Sequence, residues 1–127
     1  MNKVVVIGGG AAGLMAAITA AEQGAKVWLI EPNERLGKKI NITGKGRCNV
    51  TNDADLEGLM ANIPRNGRFL YSALSRFSSR DTMAFFEKAG VALKVERGNR
   101  VFPVSDSAFS ITDALKGLVK ARGVQWV

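Results

Sequence analysis

The sequence contains no histidine. That removes the commonest general base, the commonest metal ligand and any Ser–His or Cys–His nucleophile pair. The single cysteine, Cys48, excludes an internal disulfide and offers no thiolate cluster to a metal. So little sulfur suits a reducing compartment, and the expected location is cytoplasmic. No apolar run is long enough to span a bilayer, and the one nearest the N-terminus, Val4–Ile7, stops at three consecutive glycines. Those glycines also break the apolar helix that a signal peptide requires. There is no repeat, linker or low-complexity segment in the 127 residues, which amount to one domain or part of one. With 46% hydrophobic and 23% charged residues, the chain is able to bury a core and is not disordered.

Acidic residues are scarce relative to basic ones: 11 Asp and Glu against 18 Lys and Arg leave a net charge of +7. Such a surplus suits nucleic acid, bound phosphates or acidic substrates. Part of it is local, because Arg35, Lys38, Lys39, Lys45 and Arg47 crowd one loop. A cofactor with two phosphates is sufficient reason for that crowding. No RNA-binding motif appears, so neither nucleic acid nor a membrane is an expected partner. Lys116, Lys120 and Arg122 read as the solvated face of a final helix.

What is present begins with Val4-Val5-Val6-Ile7-Gly8-Gly9-Gly10-Ala11-Ala12-Gly13. It reads as a buried strand, a tight turn and a helix start. Gly8, Gly10 and Gly13 fit G-x-G-x-x-G. Gly8 lets the chain turn, Gly10 lets a pyrophosphate approach the backbone, and Gly13 lets helix and strand pack closely. The helix N-terminus then offers N–H groups and partial positive charge to the phosphates. Alone the motif is weak, but Leu14, Ala17, Ile18 and Ala21 follow at i, i+3, i+4, i+7, the stripe of a helix lying on a sheet. Gly24 sits at a helix stop, and Lys26–Glu31 reads as a second buried strand. Glu31 ends it about 20 residues past the glycines, where an acid hydrogen-bonds an adenosine ribose.

The next stretch, from Pro32 to Asn52, shows little periodicity and many Gly, Asn, Thr and basic residues. A loop of that length is usually functional or disordered. Its glycines can bring backbone N–H groups to an anion or a flat ring. It is no Walker loop, since Gly46 stands where Ser or Thr is required. Cys48 reads as a small buried packing residue in preference to a reactive thiol.

Beyond the loop the chain looks helical. Asp55–Ala61 is a short helix, and Phe69, Leu70, Ala73, Leu74 and Phe77 make a stripe assigned to the core. Ser78-x-x-Asp81 opens a helix through Lys88, with Gly90 as its stop. Leu93–Glu96 and Arg100–Phe102 flank Arg97-Gly98-Asn99 as a hairpin. Ser110-x-x-Asp113 is a further capping-box candidate, with Ser107 as an earlier cap. Ile111, Ala114, Leu115, Leu118 and Val119 form an apolar face, Gly123 stops the helix, and Val124–Val127 begins a strand. The fold class that results is α/β: a Rossmann-like domain with a parallel βαβ sheet, incomplete, carrying a helical excursion and a small hairpin.

Arg35-Leu36-Gly37-Lys38-Lys39-Ile40, Thr43-Gly44-Lys45-Gly46-Arg47-Cys48-Asn49-Val50-Thr51-Asn52 and the later Arg100-Val101-Phe102-Pro103 resemble a family of bacterial NAD(P)/FAD-dependent oxidoreductases. That family includes aminoacetone oxidase-like and bile-acid dehydro-reductase (BaiN-like) flavoproteins. The resemblance runs from about Val4 to Val127. It implies a longer protein with a discontinuous FAD domain, an inserted β-rich substrate domain and a small helical region; residues 1–127 would be the N-terminal segment of the FAD domain. It also implies that Gly8, Gly10, Ala11, Ala12 and Gly13 meet the pyrophosphate and Glu31 the adenosine ribose. Lys38, Lys39, Thr43, Gly44, Gly46, Arg47, Cys48 and Asn49 would lie along the phosphates, ribityl chain and flavin edge. Lys45 stands where relatives often carry glycine.

The leading reading is therefore a flavin-dependent oxidoreductase using FAD, with a small-molecule substrate and NAD(P)H as an optional second partner. No residue stands out as its acid or base. The glycine motif and Glu31 equally allow an NAD(P)-binding module of a dehydrogenase; the basic loop and the helical excursion favour FAD. Two non-enzymes compete: a truncated scaffold that binds nothing tightly, and a basic module for RNA.

Overall fold

A computed structural model describes all of residues 1–127. The elements follow in the order β1 (Lys3–Ile7), α1 (Ala11–Glu22), β2 (Lys26–Ile30), β3 (Thr51–Asn52), α2 (Leu56–Ala61), α3 (Tyr71–Arg76), α4 (Ser79–Lys88), β4 (Leu93–Glu96), β5 (Arg100–Pro103), α5 (Ala108–Ala121) and β6 (Gln125–Trp126). Short 3-10 turns cover Ile40–Gly46, Gly67–Leu70 and Arg97–Asn99. The chain divides into two compact units, Met1–Cys48 with Ser107–Val127, and Asn49–Asp106.

The first unit is the Rossmann-like part. β1 and β2 pair in parallel from Lys3 with Lys26 to Ile7 with Ile30. β6 joins the far edge of β2, also in parallel, with Trp28 opposite Gln125. Two parallel neighbours need a crossover between them, and α1 supplies it between β1 and β2. Leu14, Ala17 and Ile18 of α1 are fully buried, as are Val27 and Leu29 on the strand beneath. α5 adds Ile111, Leu115 and Val119 to the same core. Each such aliphatic side chain contributes about 1.5–3 kcal/mol on burial. That exceeds the helix propensity of α1, which has a glycine in its first turn.

The sequence reads β1 and β2 as buried strands, but they are not covered throughout. Burial alternates along them: Val27 and Leu29 are covered, whereas Val5, Ile7 and Ile30 are exposed. The helices of this unit lie over one face of the sheet only. An all-parallel sheet read from apolar runs alone carries no sign of which face its own helices cover.

Ser107, the earlier of the two candidates, caps α5, its hydroxyl accepting from the Phe109 N–H at 3.3 Å. The proposed box at Ser110 and Asp113 therefore does not form, since Ser110 already lies inside the helix.

The second unit holds a three-stranded antiparallel sheet in the order β3-β5-β4. The hairpin forms as the spacing predicts, Val95 opposite Val101 and Glu96 opposite Arg100. Its turn is closed by Gly98 and Asn99, both at positive φ. β3 was read as loop; it pairs Thr51 with Val101 and Asn52 with Arg100. Two residues are too few to leave a periodic signal. α4 carries the full capping box, with the Asp81 N–H on the Ser78 hydroxyl and the Ser78 N–H on the Asp81 carboxylate.

The aromatic stripe assigned to the core is instead on the surface. Phe69 is 85% exposed and Phe77 42%. The cause is a change of helical period: Gly67–Leu70 is a 3-10 turn and the α-helix starts only at Tyr71, so the i, i+4 positions do not share one face. No helix in the chain is long and apolar enough to cross a membrane.

Candidate cofactor site

The turn after β1 is built by glycines with different duties. Gly8 has φ +100°, a conformation side chains rarely adopt, and its N–H donates to the Ile30 carbonyl at 2.9 Å. Gly13 faces the Gly8 carbonyl so closely that a Cβ would lie 1.7 Å from that oxygen. At Gly10 an added Cβ would meet nothing within 4 Å, so the space before the helix is open.

Gly9, which the motif treats as any residue, ties the site together. Its N–H donates to Glu31 Oε1 at 2.9 Å. Its carbonyl accepts from the Gly37 N–H at 2.7 Å. A Cβ there would come within 2.6 Å of Leu36 Cδ2 and 3.1 Å of Glu31 Cβ. The sequence did carry a signal for it: three consecutive glycines where the motif needs two.

The helix N-terminus is bare. The first intrahelical bond runs from the Leu14 N–H to the Gly10 carbonyl, which leaves the N–H groups of Ala11, Ala12 and Gly13 without helical partners. No side chain caps it, and its first turn holds no acid to offset the dipole.

Glu31 is the opposite pole. Its Oε2 accepts from the Asn33 N–H at 3.0 Å while Oε1 holds Gly9. The backbone bonds from Asn33 and Gly9 hold its carboxyl below the ordinary value and keep it ionised. A carboxylate has about four lone-pair sites, so after these two bonds it retains acceptor capacity for a diol. Its backbone is fixed too, the N–H donating to the Val127 carbonyl and the carbonyl accepting from Trp126 Nε1.

Gly9, Gly10, Glu31, Asn33, Lys38, Lys39 and Ile42 line one hollow of about 560 Å³. So the structure brings together one glycine of the motif, the acid and two cations that the sequence singled out. An adjoining hollow shares Asn33, Lys38 and Ile42 and reaches Arg35, Asn41 and Phe109. Asn41 was not anticipated. Its Oδ1 accepts from the hydroxyl of fully buried Thr112 at 2.9 Å, which pins the loop to α5.

Thr43, Gly44, Gly46, Arg47 and Cys48 do not line the first hollow. They form a folded turn of their own. The Thr43 hydroxyl donates to the Ile40 carbonyl at 2.7 Å, and the N–H groups of Arg47 and Cys48 donate to the carbonyls of Gly44 and Thr43. Those two amides are thus committed within the turn and are not donors for an anion. Lys45 adopts φ +56°, so the backbone there keeps the left-handed form that glycine takes readily. Cys48 is buried at φ +58°, and burial pushes its thiol above the ordinary value, outweighing the opposing bond from Thr43. A neutral, packed thiol matches the packing role, not the reactive one. Asn49 lies in the second unit, where its side-chain amide donates to the carbonyls of Thr51 and Val101.

A strand, a glycine turn, a bare helix N-terminus and an acid closing the next parallel strand define a Rossmann-type nucleotide-binding domain. The chain belongs to the HI0933-like protein Rossmann domain family, whose model matches residues 2–127. It is 40% identical, over 98% of its length, to the 3-dehydro-bile acid delta(4,6)-reductase of Clostridium scindens. It is 37% identical, over 87% of its length, to the ribosomal RNA dihydrouridine synthase of Escherichia coli. It covers 30% and 27% of those two proteins respectively, less than a third of either. Among solved structures, THI4 of Thermovibrio ammonificans matches 99% of this chain, and the chain covers 38% of THI4, with a TM-score of 0.61 at 16% identity, a likeness of fold alone.

Proposed function

We propose that residues 1–127 are the N-terminal, FAD-binding segment of a flavin-dependent oxidoreductase. The observation that carries this is the Gly9–Glu31 bond, which fixes an ionised carboxylate beside an uncapped helix N-terminus. Two phosphates fit that end of the site: Gly10 leaves room for them, and Lys38 and Lys39 stand over the same hollow with no ion-pair partner. In this reading Gly8 and Gly13 shape the turn, and the amides of Gly10, Ala11, Ala12 and Gly13 hold the pyrophosphate. Glu31 accepts from the adenosine ribose. Thr43, Gly44, Gly46, Arg47, Cys48 and Asn49 belong to the flavin end, an assignment that rests on the family resemblance.

When bound, FAD supplies hydride transfer between a substrate and a second carrier. The role of the chain's residues is to bind and orient it. The rest of the FAD domain and the substrate domain lie outside this segment, which the short coverage of the relatives supports. A small-molecule substrate is proposed by analogy with the bile-acid reductase. NAD(P)H as second carrier rests on the family resemblance, and a cytoplasmic location on the single cysteine.

An NAD(P)-binding module would use the same glycines and acid. The absorption spectrum of the protein after adding FAD tests the choice. A bound yellow chromophore with a visible band supports the flavin reading. A colourless protein that takes up NADH instead overturns it.

A further inference from the structure

Two adjoining hollows of the second unit carry opposite charge. The first, of about 630 Å³, is lined by Asp55, Leu56, Glu57, Met60 and Tyr71. Of its two acids, Asp55 is engaged at the start of α2, its Oδ1 accepting from the Gly58 N–H at 2.8 Å. Glu57 is exposed and makes no ion pair within the chain. The second hollow, of about 600 Å³, is lined by Asn66, Gly67, Arg68 and Phe69 and holds no acid. Arg68 is exposed and likewise makes no ion pair. Phe69 is 85% exposed, on a short turn fixed by its N–H donating to the Asn66 carbonyl at 3.0 Å. Met60 joins the two hollows: its Cε lies 3.6 Å from where a Cβ on Gly67 would stand. α2 also packs against both the Gly67–Leu70 turn and α3.

We propose that these two hollows form the contact face of a symmetric dimer of this chain. A two-fold axis passing between two adjoining patches of opposite sign sets each patch against its complement on the other copy. Arg68 then meets the partner's Glu57, and the same contact recurs on the other side of the axis. Phe69 enters the partner's hollow between Leu56, Met60 and Tyr71, where a thioether and a ring edge suit an aromatic side chain. Charge complementarity singles out a second copy as the occupant. A partner of one sign would satisfy one hollow and oppose the other, whereas this chain carries both complements at the right separation by symmetry. The face lies outside the residues assigned to the cofactor and does not depend on the flavin reading.

The test is sedimentation velocity of the full chain over a rising concentration series, without FAD. The wild type moves from monomer to dimer. Arg68→Glu and Glu57→Arg each place like charges together at both contacts and raise the dimer Kd about tenfold or more. Mixed one to one, the two variants associate with each other, because every contact across the axis is again opposite in sign. Phe69→Ala loosens the dimer about thirty-fold, the scale of an aromatic anchor at an interface centre. All three side chains are exposed, so the variants keep the wild-type circular dichroism. A wild type that stays monomeric throughout overturns the proposal and would leave the face to another protein segment. A dimer indifferent to both charge reversals overturns it too, as do two variants that remain apart when mixed.

Discussion

The Gly9 N–H points at Glu31 Oε1 from 2.9 Å, across 22 residues of chain, and so joins the turn after β1 to the end of β2. One amide thereby sets where the acid stands relative to the helix N-terminus. The same residue's carbonyl receives the Gly37 N–H, so the basic loop is registered to the turn as well. Three pieces of the site thus share one anchor.

Removing the charge at that anchor separates stability from binding. Glu31 has a depressed carboxyl in the folded state, owing first to Asn33 and then to Gly9. Its contribution to stability is present above the unfolded carboxyl value of 4.5 and is lost as pH falls through the lower folded value. Urea denaturation of wild type and Glu31→Gln should differ at neutral pH, and the gap should close only in acid. At neutral pH the variant's affinity for FAD should fall by about tenfold or more, the scale of a charge-assisted hydrogen bond.

Two glycines of the motif should fail in different ways. Gly13→Ala drives a Cβ into the Gly8 carbonyl, which is backbone and has no rotamer to yield. The expected cost is about 3 kcal/mol, at the upper end for overpacking, seen as an early thermal melt. Gly10→Ala adds a methyl to open space and should melt within about 1 kcal/mol of wild type. On the proposed FAD reading it should nevertheless lose most of its FAD binding, because the methyl would enter the open space proposed for a phosphate.

The loop anchor on α5 is open to the same kind of test. Thr112→Val keeps the shape of a fully buried side chain and removes the donor to Asn41. A loss of about 1 kcal/mol is expected. Hydrogen exchange should quicken in Ile40–Gly46 while β1 and β2 stay protected.

Cys48 should be slow toward thiol reagents in the native protein and fast in urea. Burial raises its thiol above 9.0, so the native rate should climb with pH only beyond the range where the unfolded thiol titrates. Rapid native labelling at neutral pH would contradict the packed position.

Much of the first unit was legible because its signals are local. Apolar runs, a stop glycine and a periodic helix stripe specify β1, α1 and β2 within a few residues of each other. The turn was legible at Gly8 and Gly13, which have a steric reason to be glycine, and at Glu31, whose carboxylate stands at the end of β2. Gly10 has open space around it, and its reason to be glycine is the phosphate proposed there. The third glycine at Gly9 was visible, but its role escaped because its contacts, Leu36 and Glu31, are distant in sequence. Asn41 escaped for the same reason, its partner Thr112 lying 71 residues away. β3 left no trace because its pairing with β5 is long-range and two residues long. Phe69 and Phe77 misled because a 3-10 turn broke the period on which their burial was inferred.

The central claim, an ADP group held between the first helix and Glu31, is tested most directly by amide NMR of the full chain titrated with ADP. Saturable shifts of the Gly9, Gly10, Ala11, Ala12 and Gly13 amides are predicted, abolished in Gly10→Ala. Shifts confined to other residues, or none at these five, would contradict it.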